Sequence, residues 1–309
     1  MMNAAWVAGQ VRAVGLLNRR LGAEGAHQVA AAGSLAAAQR LLGTSPYRHR
    51  IRVGASLFET EHALAAEALW QLRVLAGWQP RAGATTVRLL AGGFDIANIG
   101  ALAASLAGAD PEPPYELGAL GTAWPRVRDV SSTARLREAL RHSRWGDPGA
   151  DSTSDITFGL TIGWADRVAA GIPQAARWAV GGVALMTARQ RLLHGRALTE
   201  PTAHRVRRML GARAATAHDL ATFRAALPVS ARWALSDVDA PDQLWRAEFG
   251  WWSGIERHAR ELVRQRGSGS PTLVGVVALL VADAWRTRAA VQSAAAEQLS
   301  TEVFDELLR

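Results

Sequence analysis

The sequence lacks two residue types completely. Its 309 residues include no cysteine and no lysine, so all 35 basic residues are arginine. Without cysteine the chain can form no disulfide, thiolate zinc site, iron–sulfur cluster or cysteine nucleophile. Without lysine it can supply neither the phosphate-binding lysine of a P-loop nor a Schiff base. These two absences exclude several large classes of enzyme.

Long hydrophobic runs are also missing. The best apolar run, residues 273–282, ends at Asp283, far short of the ~20 residues that a membrane-spanning helix needs. Residues 1–12 lack the cationic start and long apolar stretch of a signal peptide. We therefore expect a cytoplasmic protein that is soluble or bound peripherally to a membrane.

The charge is strongly basic, with a formal net charge of +8 and a pI near 11.2. Such a balance raises the question of nucleic acid or an anionic membrane as a partner. The arginines are spread along the whole chain and interrupted by Asp and Glu, which favours a solvated basic surface over a dedicated nucleic-acid face.

What is present is a helical pattern, because Ala, Leu and Arg abound and apolar residues recur three and four positions apart. Ser56 and Glu59 have the spacing of a capping box, and the helix that they begin is expected to close at Gly77. We predict an all-α chain. Further helices are expected at residues 96–106, 132–143, 162–170, 175–193, 201–210, 217–227, 243–266, 273–296 and 301–308. Loops are expected at residues 108–114, 146–157, 236–241 and 267–271, and 146–157 is the best candidate for a boundary between lobes.

A helical pair is repeated along the chain. Three segments share this plan of an apolar helix, a gap and a second helix: residues 11–47, 96–145 and 180–233. The second helix ends before Tyr47 in the first segment and before Trp145 in the second. In the third segment it follows a cap at Thr216 and ends before Trp233. The C-terminal residues give an abbreviated fourth echo. Because the copies differ in length, they predict a few pseudo-symmetric lobes rather than a regular solenoid.

Motifs for chemistry are not found. The sequence has no HExxH pair and no GxGxxG that follows a strand. We therefore expect no catalytic site, no cofactor, no metal and no direct small-molecule ligand.

The order of four segments resembles a known family, the C subunit of V/A-type ATPases, whose eukaryotic counterpart is called subunit d. The segments are AWVAGQVRAVGLL (residues 5–17), FDIANIGALAASLAG (94–108), YELGALGTAW with SSTARLREALRHSRW (115–145) and LVADAWRTRAAVQSAAAEQLSTEVFDELL (280–308). The chain departs from the family pattern in the third helical pair, where Ala179 and Gly182 stand at the acidic and Asn positions.

The resemblance implies a funnel of three pseudo-symmetric helical lobes, with residues 1–150 as the first lobe region, 151–240 as the second and 241–309 completing the third. It implies a non-catalytic rotor adapter on the cytoplasmic face of the membrane. Its partners would be the central-stalk shaft subunits and the proteolipid c-ring, and its role would support proton or sodium transport.

The resemblance also selects five structural or interaction residues. Asp95 and Asn98 carry the Asp-x-x-Asn segment and lie on one helical face, where they could fix neighbouring groups at a seam between lobes. Asp283 stands at the acidic position of the C-terminal copy, Arg286 at the Asn position and Arg288 at the Arg position. Asp283 could pair with Arg286 or Arg288, three and five positions further along the chain; the alternative is that these five are ordinary surface residues whose exposed pairs contribute at most about 1 kcal/mol.

The alternative interpretation is a basic, all-helical nucleic-acid-binding or regulatory protein, which predicts a contiguous arginine face and salt-dependent binding to duplexes. An enzyme would need a polar pocket that a single sequence does not reveal.

Overall fold

The part of the chain that the structure describes is all-helical, with 73% of its residues in helices. The computed structural model describes residues 4–265 and 269–296, and within these ranges it contains no β-strand. The α-helices are α1 (Ala4–Leu17), α2 (Gly22–Ala30), α3 (Leu35–Leu42), α4 (Leu57–Gly77), α5 (Arg81–Leu90), α6 (Gly92–Leu106), α7 (Trp124–Val127), α8 (Thr133–Arg141), α9 (Thr153–Gly171), α10 (Pro173–Ala188), α11 (Glu200–Leu210), α12 (Ala212–Thr216), α13 (Leu220–Ala226), α14 (Val229–Arg232), α15 (Leu244–Arg264) and α16 (Ser270–Ala295). Arg189–Leu193 forms a π-helical turn, and Gly118–Leu120, Trp233–Leu235 and Pro241–Gln243 form 3-10 turns.

Local capping explains where several helices begin. The Ser56 hydroxyl accepts a hydrogen bond from the Glu59 amide at 3.1 Å, and the Glu59 carboxylate accepts one from the Ser56 amide at 2.8 Å. This capping box starts α4, which ends at Gly77 as expected. The same hydrogen bond from the Ser56 amide lowers the pKa of Glu59, because it stabilises the charged form.

The contacts divide the chain into two compact units, and the first unit consists of Met1–Val87 and Ile255–Arg309. Its longest helix, α16, packs against α1, α2, α3 and α4. Tyr47, Leu42 and Leu64 are buried in a core with Ala290 and Val291 of α16. This unit is therefore built from two segments that are distant in sequence.

The second unit, Arg88–Gly254, is continuous in sequence and holds two hydrophobic clusters. One cluster joins α6, α7, α8 and α9 around Ile99 and Leu136. The other joins α10, α11 and α13 around Phe223 and Leu210. The residue bounds expected for three lobes stay a prediction.

The predicted helices are largely confirmed, with two corrections. The loop expected over residues 146–157 ends earlier, because the Ser152 hydroxyl caps α9 and residues 153–157 are helical. The helix expected from Ala217 begins at Leu220, because the cap is Asp219 and not Thr216. The helix expected over residues 301–308 lies outside the described residues.

No single helix within the described residues has the length and hydropathy to cross a membrane. The helices α5 and α6 reach the required hydropathy only when taken together, and they meet at a bend of 42°.

Candidate functional site

Asp95 binds a stretch of backbone in the second unit. The side chain lies on α6 and is 2% exposed. Its carboxylate accepts hydrogen bonds from the amides of Thr122 at 2.7 Å, Ala123 at 3.2 Å and Trp124 at 3.0 Å, and also from the Thr122 hydroxyl. These amides lie at the start of α7, where the N-cap residue Ala123 makes no side-chain capping hydrogen bond. Asp95 therefore fixes the short helix α7 to the long helix α6.

Asn98, one turn further along α6, holds Tyr115, which precedes the segment bound by Asp95. Its amide nitrogen donates to the Tyr115 carbonyl at 2.9 Å, and its amide oxygen accepts from the Tyr115 amide at 2.7 Å. The side chain is 2% exposed, so this pair replaces hydrogen bonds to water. Asp95 and Asn98 thus act on backbone, as the expectation allowed, and the seam between lobes stays a prediction.

Asp283 repeats this arrangement in the first unit. It lies on α16 and is 4% exposed. Its carboxylate accepts hydrogen bonds from the amides of Leu21 at 3.1 Å and Gly22 at 2.8 Å, and from the Tyr47 hydroxyl at 3.0 Å. Gly22 is the first residue of α2, so Asp283 ties the short helix α2 to the long helix α16 in the way that Asp95 ties α7 to α6.

Burial dominates the electrostatics around Asp283. It raises the pKa of Asp283, although the hydrogen bonds from Gly22, Leu21 and Tyr47 and the charge of Arg20 all act to lower it. Burial, followed by the nearby Asp283 charge, also raises the pKa of Tyr47 well above its ordinary value. The pKa of Arg20 is lowered, again by burial first. The carboxylate therefore sits in a dry environment, where its hydrogen bonds are strong but its charge is costly.

The expectation that Asp283 pairs with Arg286 or Arg288 is wrong, because both arginines have other acidic partners. Arg286 forms a buried ion pair with Glu256 of α15, in which both side chains are 9% exposed. Glu256 also accepts a hydrogen bond from Arg260 at 2.6 Å. Burial lowers the pKa of Arg286, and the neighbouring Arg20 lowers it further.

Arg288 lies on a more exposed part of α16. Its side chain is 52% exposed and its Nε lies 3.2 Å from the Glu61 carboxylate. Glu61 also accepts a hydrogen bond from Gln292 at 2.6 Å. This group connects α16 to α4 but contributes little to stability, because exposed ion pairs are screened by water.

A short segment recurs three times next to these sites, and we call residues 34–47, 132–145 and 219–232 the first, second and third repeat. Each begins with an N-cap side chain that accepts from the amide three positions later, and each has a buried Leu eight positions after the cap and a Ser eleven positions after it. The caps are Ser34, Ser132 and Asp219, the leucines Leu42, Leu140 and Leu227, and the serines Ser45, Ser143 and Ser230.

The first two repeats also end alike. The hydroxyl of Ser45 donates to the Leu42 carbonyl at 2.7 Å and accepts from the Tyr47 amide at 3.1 Å. The hydroxyl of Ser143 donates to the Leu140 carbonyl at 2.7 Å and accepts from the amide of Trp145 at 3.0 Å. Each aromatic side chain is then connected to a buried aspartate. The Tyr47 hydroxyl donates a hydrogen bond to Asp283 of α16. The Trp145 indole nitrogen donates to the Thr122 hydroxyl, which in turn donates to Asp95 of α6.

The side chain five positions after each cap holds the segment that follows the repeat. Gln39 accepts from the Gly54 amide at 2.8 Å and donates to the Ala55 carbonyl at 2.7 Å. Arg137 bridges Asp147 and Asp151 at 2.8 and 3.1 Å. Arg224 donates to carbonyls and to Asp239 in the segment 236–239. One sequence position therefore has the same task in all three copies.

Among the described residues, no buried carboxylate binds the third repeat. Ala179 and Gly182 of α10 stand where the resemblance predicts an acidic residue and an Asn, and tryptophan rings pack closely here. A Cβ at Gly181 would lie 3.0 Å from the Trp233 ring, and one at Gly182 would lie 3.1 Å from the Trp251 ring. The Trp251 indole nitrogen donates to the Trp178 carbonyl at 3.0 Å.

Sequence reasoning identified the helix pairs but missed two features of them. The apolar helix predicted at the start of residues 11–47 includes Val11 and Val14, yet these two residues of α1 are 70% and 46% exposed. The long helix that serves α2 and α3 is α16, through Asp283. The common position five residues after each cap was also missed, and aligning the three segments on their caps is the signal that finds it.

The polar groups of these sites bind backbone and one another, and this arrangement supports rigid packing of the helices. Among the described residues, no group of three or more His, Asp and Glu side chains could hold a metal ion. Comparison with models of known protein families and with curated proteins finds no match for this chain. The class that the fold and the site define is therefore an all-α protein with an internal helical repeat.

Proposed function

We propose that this protein is a non-catalytic rotor adapter that couples the central shaft of a V/A-type rotary ATPase to the proteolipid ring in the membrane. Under this proposal the three repeats belong to three pseudo-symmetric lobes arranged as a funnel, and the protein is bound peripherally on the cytoplasmic face. It performs no chemistry itself and supports proton or sodium transport by transmitting torque.

The observation that carries the proposal is the helical repeat. The same cap, buried leucine, serine and holding side chain occur three times, and a family of three-lobed adapters is the class that the order of the sequence segments resembles. Dense helical packing also suits a part that must transmit force, because protein interiors are scarcely compressible. Asp95 and Asp283 add to this rigidity, since each fixes a short helix to a long one through buried hydrogen bonds.

The net charge supports the same role. A charge of +8 favours association with an acidic shaft subunit or with polar loops of the ring, because complementary charge speeds and orients association.

Purification from the native host tests the proposal. A tagged chain is expected to co-purify from detergent-extracted membranes with shaft and proteolipid subunits. In a deletion strain, ATP-driven ion pumping by isolated membranes should be lost, and the wild-type gene should restore it. An Asp129→Ala variant is the control, since Asp129 is 86% exposed and the change should restore pumping fully.

Two results would contradict the adapter role. One is a chain that purifies without these subunits while the deletion strain pumps normally. The other is retention on duplex nucleic acid that falls steeply with salt, which would favour the alternative of a nucleic-acid-binding protein.

A further inference from the structure

Two guanidinium groups of the second unit converge beside a buried tryptophan. The guanidinium of Arg167 on α9 lies over the Trp145 ring, with its Cζ 4.3 Å from the ring centroid. Arg205 of α11 approaches from another helix. A Cβ built on Gly163 would lie 3.6 Å from the Trp145 carbonyl oxygen, 3.7 Å from Arg167 Nη1 and 3.8 Å from Arg205 Cζ, so both guanidinium groups lie within 4 Å of one point above this glycine.

Two glycine residues, which have no side chain, leave room for these guanidinium groups. Gly146 has a φ of +75°, and a Cβ there would lie 2.8 Å from Arg205 Nη2. Gly163 stands in the interior of α9, where glycine destabilises a helix by about 1 kcal/mol relative to alanine. The two glycines therefore leave open the space that the guanidinium groups share.

Most donors of this pair are unused. A guanidinium has five N–H donors. Within the described residues, Arg167 donates to the Arg144 carbonyl at 3.2 Å, and Arg205 donates to the Asp147 carbonyl at 3.5 Å, the long limit for a hydrogen bond. Neither forms an ion pair within the described residues, and Asp166, whose charge acts on both arginines, is paired with Arg208.

The neighbouring charges act in both directions on this pair. Burial lowers the pKa of Arg167 to about 10, and the positive charges of Arg205 and Arg144 lower it further, while Asp166 and Asp95 raise it. Burial also lowers the pKa of Arg205, while the charges of Asp166 and Asp147 raise it. Both guanidinium groups stay charged at neutral pH, and the fall in both pKa values shows that these carboxylates offset the cost of burial only in part, so a further anion would stabilise the pair.

We propose that Arg167 and Arg205 bind a phosphate-class oxyanion over Gly163, with Trp145 holding Arg167 in place. A dianionic phosphate matches two positive charges, and planar guanidinium groups bind its oxygens through paired hydrogen bonds. The same phosphate chemistry is offered by a soluble phosphorylated molecule and by a phospholipid headgroup. This inference does not depend on the adapter role.

Calorimetric titration of the full-length protein with inorganic phosphate, at constant ionic strength in a chloride buffer, tests the site. Wild-type protein should bind phosphate, and Arg167→Gln or Arg205→Gln should weaken binding by about 10- to 100-fold. Arg128→Gln is the matched control, because this arginine of the same unit is 59% exposed and pairs only with Asp129. It should bind phosphate as the wild type does.

A further variant separates binding from folding. In Gly163→Ala the added methyl group makes only ordinary contacts with its neighbours, so the thermal stability of the protein should be retained or raised. The methyl group lies at the point that both guanidinium groups share, so phosphate binding should fall. Failure of the wild type to bind phosphate, or equal binding by all three site variants, overturns the proposal.

Vesicle sedimentation then identifies the source of the phosphate. Binding to phosphatidylcholine vesicles that contain phosphatidic acid, lost in Arg167→Gln and kept in Arg128→Gln, assigns a lipid headgroup. Binding of free phosphate without this lipid retention assigns a soluble ligand. Both results support the oxyanion site.

Discussion

Replacing Asp283 should destabilise the first unit more than almost any other polar change. In Asp283→Ala the amides of Leu21 and Gly22 and the Tyr47 hydroxyl lose their common acceptor. Each buried donor left unpaired costs about 1–3 kcal/mol. Because water can enter the space left by the carboxylate, we expect a total loss of about 3–5 kcal/mol in the free energy of unfolding, the lower part of the range that three unpaired donors would give.

The pH dependence of a milder variant tests the reasoning further. The pKa of Asp283 is raised in the folded protein, so between its unfolded value near 3.8 and its higher folded value the native state binds more protons than the unfolded state. The contribution of Asp283 to stability is therefore fully present below pH ~4 and declines as the pH rises through this window. Asn does not titrate, so the destabilisation caused by Asp283→Asn should shrink as the pH rises.

Urea unfolding followed by far-ultraviolet circular dichroism, repeated across acid and neutral pH, measures both effects. Asp219→Asn provides the control of opposite sign, since the hydrogen bond from the Thr222 amide lowers the pKa of Asp219 and its contribution is lost as the pH falls. A destabilisation by Asp283→Asn that grows with rising pH would refute the assignment of Asp283 as a group dominated by burial. A loss below about 1 kcal/mol in Asp283→Ala would show that its three hydrogen bonds contribute little.

The remaining predictions concern other contacts. Asn98→Ala should lower the free energy of unfolding by about 2–3 kcal/mol, because both backbone groups of Tyr115 lose buried partners; unchanged thermal stability and unchanged hydrogen exchange of the Tyr115 amide would contradict this. Glu256→Gln should lower the free energy of unfolding by about 3–5 kcal/mol, because it leaves Arg286 buried without its carboxylate partner. The double variant Glu256→Leu with Arg286→Met should recover most of this loss. If both variants lose the same free energy in denaturant unfolding, this account is refuted. Ser56→Ala should cost about 1 kcal/mol by removing the cap of α4, as measured by thermal unfolding. If the net charge drives docking, retention of the protein on host membranes should fall between low and high salt, and salt-independent sedimentation would exclude that role.

Local signals in the sequence were sufficient for the elements themselves. Ser56 and Glu59 are three positions apart, so their capping box depends on nothing distant, and the predicted start of α4 is confirmed. The placement of Asp95 and Asn98 on one helical face was predictable for the same reason. Their partners were not, because Thr122 and Tyr115 are 27 and 17 positions further along the chain and only the tertiary fold brings them near.

The wrong and missing predictions also concern partners that are distant in the sequence. Asp283 was expected to bind an arginine on its own helix, because local spacing offered one. Its actual partners, Gly22 and Tyr47, are 261 and 236 positions away, and Arg286 is taken by Glu256 of another helix. The convergence of Arg167 and Arg205 was equally invisible, since nothing in the sequence relates α9 to α11.

The discontinuity of the first unit has a consequence for folding. Its core needs α16, yet α1 to α4 are made more than 150 residues earlier, since the whole of Arg88–Gly254 lies between its two segments. Closing so long a loop is entropically expensive and slow. On the ribosome the continuous second unit can fold as soon as it emerges. The amides of Leu21 and Gly22 and the Tyr47 hydroxyl stay exposed to water until Asp283 has been synthesised. A chaperone or protease acting on the nascent chain would therefore meet the N-terminal helices first.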